Sequence, residues 1–216
     1  MTNKQRPLVQ LAVDATDVQT AWNLVEAVYP HYDIAEIGTP LIVEEGLRAL
    51  QVLKSKWPDK QYLADVKIMD AGRLEADSAF RRGADMVTVL ALADDKTIQG
   101  ALEAAEEYGG LIMADLINTP DPSGRVRALQ TLGVQIVCVH TAYDVQGSHI
   151  DPMAQLQSVR RASTCRVAVA GGLKLENVDQ AIACGADILV FGSSIATHSA
   201  PGRIAEEIMT RIEEVC

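Results

Sequence analysis

The chain has 216 residues, of which 48% are apolar and 22% are charged, and its formal net charge is −10. This composition is typical of a soluble globular protein, and the length predicts one domain spanning residues 1–216. The negative charge argues against nucleic acid and anionic membranes as partners. No apolar run approaches the roughly 18 residues of a membrane-spanning helix, and the first residues lack the apolar region of a signal peptide.

The cysteines are widely spaced and form no Cys-x-x-Cys pair: Cys138, Cys165, Cys184 and Cys216. This pattern is typical of reduced thiols rather than of metal ligands or disulfides. We therefore expect a cytoplasmic protein. An acidic chain of this kind can still bind a phosphorylated metabolite where the positive potential is local.

Short apolar segments alternate with longer amphipathic segments about eight times along the chain. The predicted strands are residues 8–13, 34–37, 62–66, 86–90, 111–116, 136–139, 166–170 and 188–191. The predicted helices are residues 18–29, 43–57, 73–82, 95–108, 124–132, 153–162, 177–184 and 203–215. Strands that alternate with helices indicate βαβ units, and eight units predict an α/β fold, the closed (β/α)8 TIM barrel. A doubly wound open sheet is the alternative, but no Gly-x-Gly-x-x-Gly sequence follows the first strand.

Alternation within the strands predicts which side chains point into the barrel. The branched residues of the first, sixth and seventh strands share one face: Val9, Leu11, Val13, Val137, Val139, Val167 and Val169. The opposite face carries Gln10, Ala12, Asp14, Cys138, His140, Ala168 and Ala170. We expect the branched face to lie under the helices, and the smaller or polar face to fill the narrow interior.

The segment 64–72, Ala-Asp-Val-Lys-Ile-Met-Asp-Ala-Gly, carries the strongest functional signal. Asp65 and Lys67 are two positions apart in a strand, so their side chains share a face and Val66 points to the other. Asp70 follows in the next turn. Two carboxylates around one ammonium are costly to hold on a rigid element, which is typical of a site for an anionic intermediate or a metal ion. The alternative is a solvated salt bridge without function.

Ionisable residues end five of the eight predicted strands: Asp14, Glu36, Asp65 with Lys67, Asp115 and His140. The C-terminal ends of the strands form one rim of a barrel, where barrel enzymes build their active sites, so we predict an active site there. Glu36 and Asp65 lie on neighbouring strands, and carboxylate oxygens suit Mg²⁺. In the alternative without a metal ion, Lys67 alone would neutralise the acids, although one cation cannot balance so many carboxylates.

Glycine turns follow the last two predicted strands. Gly171 and Gly172 follow the seventh strand, and Gly192 and Ser193 follow the eighth, where a helical turn opens. Free backbone N–H groups at such turns bind phosphate dianions, and these loops are the usual phosphate site of a barrel. We therefore predict that a phosphate group binds at these turns.

Five stretches of the chain match one known family. They are Glu36-Ile37-Gly38-Thr39-Pro40, residues 64–72, Asp115-Leu116-Ile117-Asn118, Val139-His140-Thr141-Ala142-Tyr143-Asp144 and Val169-Ala170-Gly171-Gly172. Over nearly its whole length the chain resembles the 3-hexulose-6-phosphate synthases of the orotidine 5′-monophosphate decarboxylase superfamily. The resemblance implies a Mg²⁺-dependent enzyme, in which Mn²⁺ can substitute. Such an enzyme joins formaldehyde to the phosphosugar D-ribulose 5-phosphate, giving D-arabino-hex-3-ulose 6-phosphate.

The resemblance also implies roles for the rim residues. Glu36 and Asp65 would hold the metal ion, Lys67 would stabilise the enediolate oxygen, and His140 would take the C1 proton as a base suited to neutral pH. Asp14 and Asp115 would bind substrate hydroxyls or orient Lys67. The aspartate that matches Asp70 reaches into the neighbouring subunit's site, which implies an obligate homodimer with two shared active sites.

Two alternative functions stay open. A close relative in the superfamily decarboxylates 3-keto-L-gulonate 6-phosphate through a similar enediolate. That relative usually has arginines where this chain has Tyr143 and Ser193, and a glutamate where it has Asp115, and these differences favour the synthase. A non-catalytic phosphosugar-binding regulator is the second alternative, but a pure binder has no need for a base.

Overall fold

The computed structural model describes residues 6–145 and 151–216. The strands are β1 (Leu8–Val13), β2 (Ile34–Ile37), β3 (Gln61–Ile68), β4 (Met86–Leu90), β5 (Leu111–Asp115), β6 (Ile136–His140), β7 (Arg166–Ala170) and β8 (Ile188–Phe191). They are parallel, they pair in chain order, and β8 pairs with β1. The predicted closed (β/α)8 barrel is therefore confirmed. Residues 1–5, on which the expectation about a signal peptide partly rests, lie outside the described residues.

Helices follow each strand and pack around the barrel. They are α1 (Val18–Val28), α2 (Thr39–Glu45), α3 (Arg48–Lys56), α4 (Gly72–Phe80), α5 (Asp95–Tyr108), α6 (Pro122–Leu132), α7 (Pro152–Ala162), α8 (Val178–Ala183), α9 (Ser193–Ala196) and α10 (Pro201–Val215). In the described ranges, no helix has the length and apolar character needed to span a membrane. α9 is the helical turn that the sequence predicts after Gly192.

The predicted helix over residues 43–57 is wrong, because two helices occupy this region. α2 begins at Thr39, directly after β2, and ends at Glu45. Gly46, the residue after α2, has a φ of 63° and a ψ of −171°, a conformation that is open to glycine but costly for a residue with a Cβ atom, so the helix does not continue through it. The predicted starts at 124, 153 and 203 are late by one or two residues, because α6, α7 and α10 begin with prolines that suit the first helical turn.

Strand β3 is longer than the predicted 62–66 and is irregular. It continues to Ile68, so Lys67 lies inside the strand rather than after it. Lys67 has a φ of 54°, and the pairing with β4 shifts register between Ala64 and Ile68. Asp65 and Lys67 nevertheless share the inward face, while Val66 packs against the outer core. The predicted orientation of the pair is confirmed, although the strand around it is not regular.

The predicted faces of β1, β6 and β7 are confirmed, with the branched residues in the core beneath the helices. The interior is not filled by small or polar residues throughout, however. On β2 to β5 a large apolar residue points inward, and a polar residue follows two positions later on the same face: Ile34 then Glu36, Leu63 then Asp65, Met86 then Thr88, and Met113 then Asp115. An apolar layer inside the barrel therefore supports a polar layer at its C-terminal rim.

Candidate active site

The centre of the polar layer is Lys67, whose ammonium lies among carboxylates. Its Nζ pairs with Asp65 Oδ2 and lies 3.9 Å from Asp115 Oδ2. Burial lowers the pKa of Lys67, but Asp65, Asp115 and Glu36 outweigh burial, so the pKa is raised overall. Lys67 therefore carries a positive charge at neutral pH, in a place where negative charge on a bound molecule would be stabilised.

Two threonine hydroxyls hold the carboxylate of Asp65, which is 5% exposed. The hydroxyl of Thr39, at the start of α2, lies 2.9 Å from Asp65 Oδ2 and 2.8 Å from the Asp65 backbone oxygen, and its single proton is shared between these two acceptors. Thr88, on β4, donates to Asp65 Oδ1 at 2.9 Å. The orientation of this carboxylate is therefore set by neighbours on both sides, and it has little freedom to rotate.

Asp115 and His140 form a second pair on β5 and β6. Asp115 Oδ2 lies 2.8 Å from His140 Nδ1, and Asp115 Oδ1 accepts a hydrogen bond from the backbone N–H of Ile117 at 2.9 Å. An ionised Asp115 favours the tautomer in which Nδ1 carries the proton, which leaves Nε2 as the nitrogen that can accept one. The half-buried His140 can therefore act as a base at the rim.

Glu36 is the most strongly perturbed acid of the site. Its Oε2 accepts a hydrogen bond from Gln10 Nε2 at 2.5 Å deep in the barrel. Burial, followed by the charge of Asp65, raises the pKa of Glu36 to about 8, although Gln10 and Lys67 oppose the shift. Such a shift is common where a charged ligand completes a site. Within residues 6–145 and 151–216, no group of three or more histidine, cysteine or acidic side chains is arranged to hold a metal ion.

The two remaining acidic site residues differ in their relation to this cluster. Burial, followed by the charge of Asp65, raises the pKa of Asp14, while Lys67 and His140 oppose the shift, so Asp14 interacts with the cluster and Asp70 stands apart from it. Asp14 follows β1 and is exposed at the barrel mouth, close to Gly38, where an added Cβ would lie 2.1 Å from Asp14 Oδ1. Asp70 is exposed in the bend between β3 and α4, and its Oδ1 accepts a hydrogen bond from the Ala71 N–H at 2.7 Å. Within the described part of the chain, Asp70 makes no ion pair with the other rim residues.

The glycine turns lie where the sequence predicts them. Gly171 and Gly172 follow β7 with φ values of 91° and 81°. An added Cβ on Gly171 would lie 2.2 Å from the Thr141 backbone oxygen, so no larger residue fits there. Gly192 caps α9 and Ser193 is its first residue. These backbones lie on the same rim as the carboxylates.

Cys138 lies on the inward face of β6, below His140. Burial, followed by the charges of Asp115 and Glu36, raises the pKa of its thiol well above the usual value. The thiol therefore stays neutral and is a poor nucleophile. All four cysteines belong to the described ranges and are free, as predicted.

Sequence reasoning missed three residues that contact the acids. Thr39 and Thr88 bind Asp65, and Gln10 binds Glu36, yet none was predicted as a site residue. A signal existed for Gln10 and Thr88, because each is a polar residue at an inward position of an otherwise apolar strand. For Thr39 the signal was its place in the matching stretch Glu36-Ile37-Gly38-Thr39-Pro40, but the start of α2 was not predicted there.

Comparisons with known proteins agree on one family. A family model described as "Orotidine 5′-phosphate decarboxylase / HUMPS family" matches residues 7–208 of the chain. The 3-hexulose-6-phosphate synthase of Methylomonas aminofaciens is 41% identical over 202 residues, which are 93% of this chain and 97% of that protein. The 3-hexulose-6-phosphate synthase of Bacillus subtilis (strain 168) is 37% identical over 201 residues, 93% of this chain and 96% of that protein.

The chain belongs to the orotidine 5′-phosphate decarboxylase / HUMPS family. Among solved structures, 3-hexulose-6-phosphate synthase from Salmonella typhimurium superposes on this family member with a TM-score of 0.94 at 35% identity, covering 97% of this chain and 100% of that one. The 3-keto-L-gulonate-6-phosphate decarboxylase from Vibrio cholerae has a TM-score of 0.87 at 24% identity, covering 98% of this chain and 100% of that one. This second likeness shows the shared barrel alone.

The raised pKa of Glu36 predicts that the protein is less stable at high pH when no cation is bound. Between the usual pKa near 4.5 and the folded pKa of about 8, ionisation of Glu36 opposes folding, so stability falls as pH rises through this range. We expect Glu36→Gln, in the presence of a chelator, to melt higher than the wild type at pH 9 and to differ little from it at pH 4. A gain of about 1 kcal/mol would raise Tm by roughly 2–4 °C.

Glu44→Gln is the matched control, because Glu44 is exposed on α2. Its melting temperature should follow that of the wild type at both pH values. A Glu36→Gln variant that melts below the wild type at pH 9 would contradict the conclusion that ionised Glu36 destabilises the fold.

Proposed function

We propose that the protein is a 3-hexulose-6-phosphate synthase, an aldehyde-lyase that joins formaldehyde to D-ribulose 5-phosphate. The observation that carries the proposal is the rim cluster in which Lys67 lies between Asp65 and Asp115, with His140 paired to Asp115. A charged ammonium beside a paired histidine is what the formation of an enediolate from a ketose phosphate requires. Relatives named as this synthase, at 35–41% identity over nearly the whole chain, support the same substrate.

His140 is the base in the proposed mechanism. With its Nδ1 held by Asp115, Nε2 takes the C1 proton of ribulose 5-phosphate, and the negative charge moves to the C2 oxygen. Lys67 stabilises that oxygen, since its ammonium is already charged and held in place before the substrate binds. The enediolate C1 then attacks the carbon of formaldehyde, whose oxygen takes up a proton to become a hydroxyl group.

A divalent cation fits the donor set of Glu36 and Asp65. Both are carboxylates, which Mg²⁺ prefers, and Mg²⁺ commonly keeps waters and takes substrate oxygens beside one or two protein ligands. The raised pKa of Glu36 supports this fit, because a nearby cation would favour its ionised form. When bound, Mg²⁺ or Mn²⁺ would supply positive charge that polarises the ketose carbonyl and its neighbouring hydroxyl.

The phosphate group of the substrate is assigned to the turns at Gly171, Gly172, Gly192 and Ser193. The positive φ values at the first two glycines and the open first turn of α9 present backbone N–H groups at the rim. Asp14, exposed at the mouth, is available to a substrate hydroxyl. The four free cysteines favour a reducing compartment, consistent with a cytoplasmic enzyme.

We also propose a homodimer in which Asp70 completes the partner's site. Asp70 is exposed and stands apart from the cluster of its own chain. Large apolar side chains are exposed on both sides of it in the sequence, namely Met69 at 53% and Leu74 at 69%. Exposed apolar residues around a charged one are typical of an interface between subunits.

The main experiment is incubation with ribulose 5-phosphate, formaldehyde and Mg²⁺, followed by identification of the product. We expect D-arabino-hex-3-ulose 6-phosphate, loss of turnover with a chelator, and recovery with Mg²⁺ or Mn²⁺. A parallel incubation with 3-keto-L-gulonate 6-phosphate measures carbon dioxide release. Faster decarboxylation than condensation would identify the alternative enzyme, and full turnover in a metal-free preparation would exclude the metal ion from the reaction.

His140→Asn tests the base independently of formaldehyde. The variant keeps a polar side chain but loses the base, so ribulose 5-phosphate should bind while its C1 proton exchanges with solvent deuterium much more slowly. General-base catalysis contributes typically 10²–10⁴-fold, so we expect an exchange rate lower by that factor, measured by NMR. Exchange at the wild-type rate would move the role of base to Asp115 or Lys67.

Mixed dimers test the shared site. Lys67→Ala and Asp70→Asn should each be inactive alone, because each removes one part of both sites in a homodimer. A heterodimer of the two variants has one site with both residues intact, so random subunit exchange should restore about a quarter of the wild-type activity. If confirmed exchange restores none, Asp70 acts within its own subunit.

A further inference from the structure

The pairing between β3 and β4 is interrupted at the site. Ala64 pairs with Val87 and Ile68 pairs with Val89, so residues 65–67 of β3 lie opposite the single residue Thr88. Within this segment Lys67 has a φ of 54°, a left-handed conformation that is disfavoured for residues with a Cβ atom. Such a conformation persists only where neighbouring groups impose it.

The hydroxyl of Thr88 is the group that contacts both ends of this segment. Its Oγ1 accepts a hydrogen bond from the backbone N–H of Lys67 at 2.9 Å, and it donates to Asp65 Oδ1 at 2.9 Å. Thr88 is 3% exposed, so water has little access to the hydroxyl. Without it, the Lys67 N–H would lose the acceptor that the interrupted ladder does not supply.

We propose that Thr88 is a positioning residue for the reaction, whose hydroxyl holds Lys67 in its left-handed conformation and so aims Nζ between Asp65 and Asp115. The effect on rate rests on the proposed function, whereas the effect on conformation does not. Thr39 offers a comparison, because it also donates to Asp65 but does not contact the Lys67 N–H.

Thr88→Val tests this role, since valine has a similar shape and no hydroxyl. In a crystal structure of the variant, we expect Lys67 to leave the left-handed region and Nζ to move away from Asp115. Misplacement by about 1 Å can cost roughly 100-fold in rate, so kcat should fall by about that factor while KM for ribulose 5-phosphate changes little. Thr88→Ser should keep both the conformation and most of the rate.

Thr39→Val should leave the φ of Lys67 unchanged and lower kcat less than Thr88→Val does. If Thr88→Val does not fold, Thr88→Cys takes its place, because a thiol is a weak donor and acceptor of similar size. A left-handed Lys67 with wild-type kcat in the variant without the hydroxyl would overturn the proposal, as would a Thr88→Ser variant as slow as Thr88→Val. A wild type without synthase activity would overturn the proposed function, and the Lys67 conformation would then decide the role of Thr88.

Discussion

The site depends on one lysine ammonium held among carboxylates at the mouth of an apolar barrel. Asp65 and Asp115 are 5% and 3% exposed, and Lys67 lies between them. Removing one partner of a buried ion pair typically costs about 3–5 kcal/mol, because the remaining charge has lost its counter-charge. The strained backbone of Lys67 is consistent with this constraint, since it directs the side chain to the place where both acids can be reached.

The apolar layer beneath the site has consequences for both stability and chemistry. Ile34, Leu63, Met86 and Met113 fill the barrel below the polar layer and keep water from the acids above them. This exclusion of water raises the pKa of Glu36, because burial disfavours its charged form. The polar layer therefore makes the fold less stable than a fully apolar barrel would be. Active sites commonly retain such unfavourable charge because a ligand relieves it, and the lost stability is supplied elsewhere in the fold.

Much of this arrangement could be predicted because it follows from local periodicity. Alternation with a period of two identified the inward positions of Asp65, Asp115 and His140, and parallel strands bring their C-terminal ends to one rim. The prediction failed for the helix over 43–57, because the sequence does not show that Gly46 adopts a positive φ and ends α2. The sequence prediction also ended β3 too early, at residue 66, because nothing in the sequence shows that the strand continues to Ile68 through the positive φ of Lys67.

The sequence by itself determined the barrel, the rim and the acids, lysine and histidine on it, because these follow from side-chain patterns between near neighbours. The tertiary structure alone decided that Asp115 pairs with His140, that Gln10 binds Glu36, and that Thr88 bridges Asp65 and the Lys67 backbone. The partners in these hydrogen bonds are 21 to 26 positions apart in the chain. Which side chains meet across neighbouring strands depends on the exact strand register and on the interruption between β3 and β4, whereas the alternation of side chains indicates only the face to which each one points.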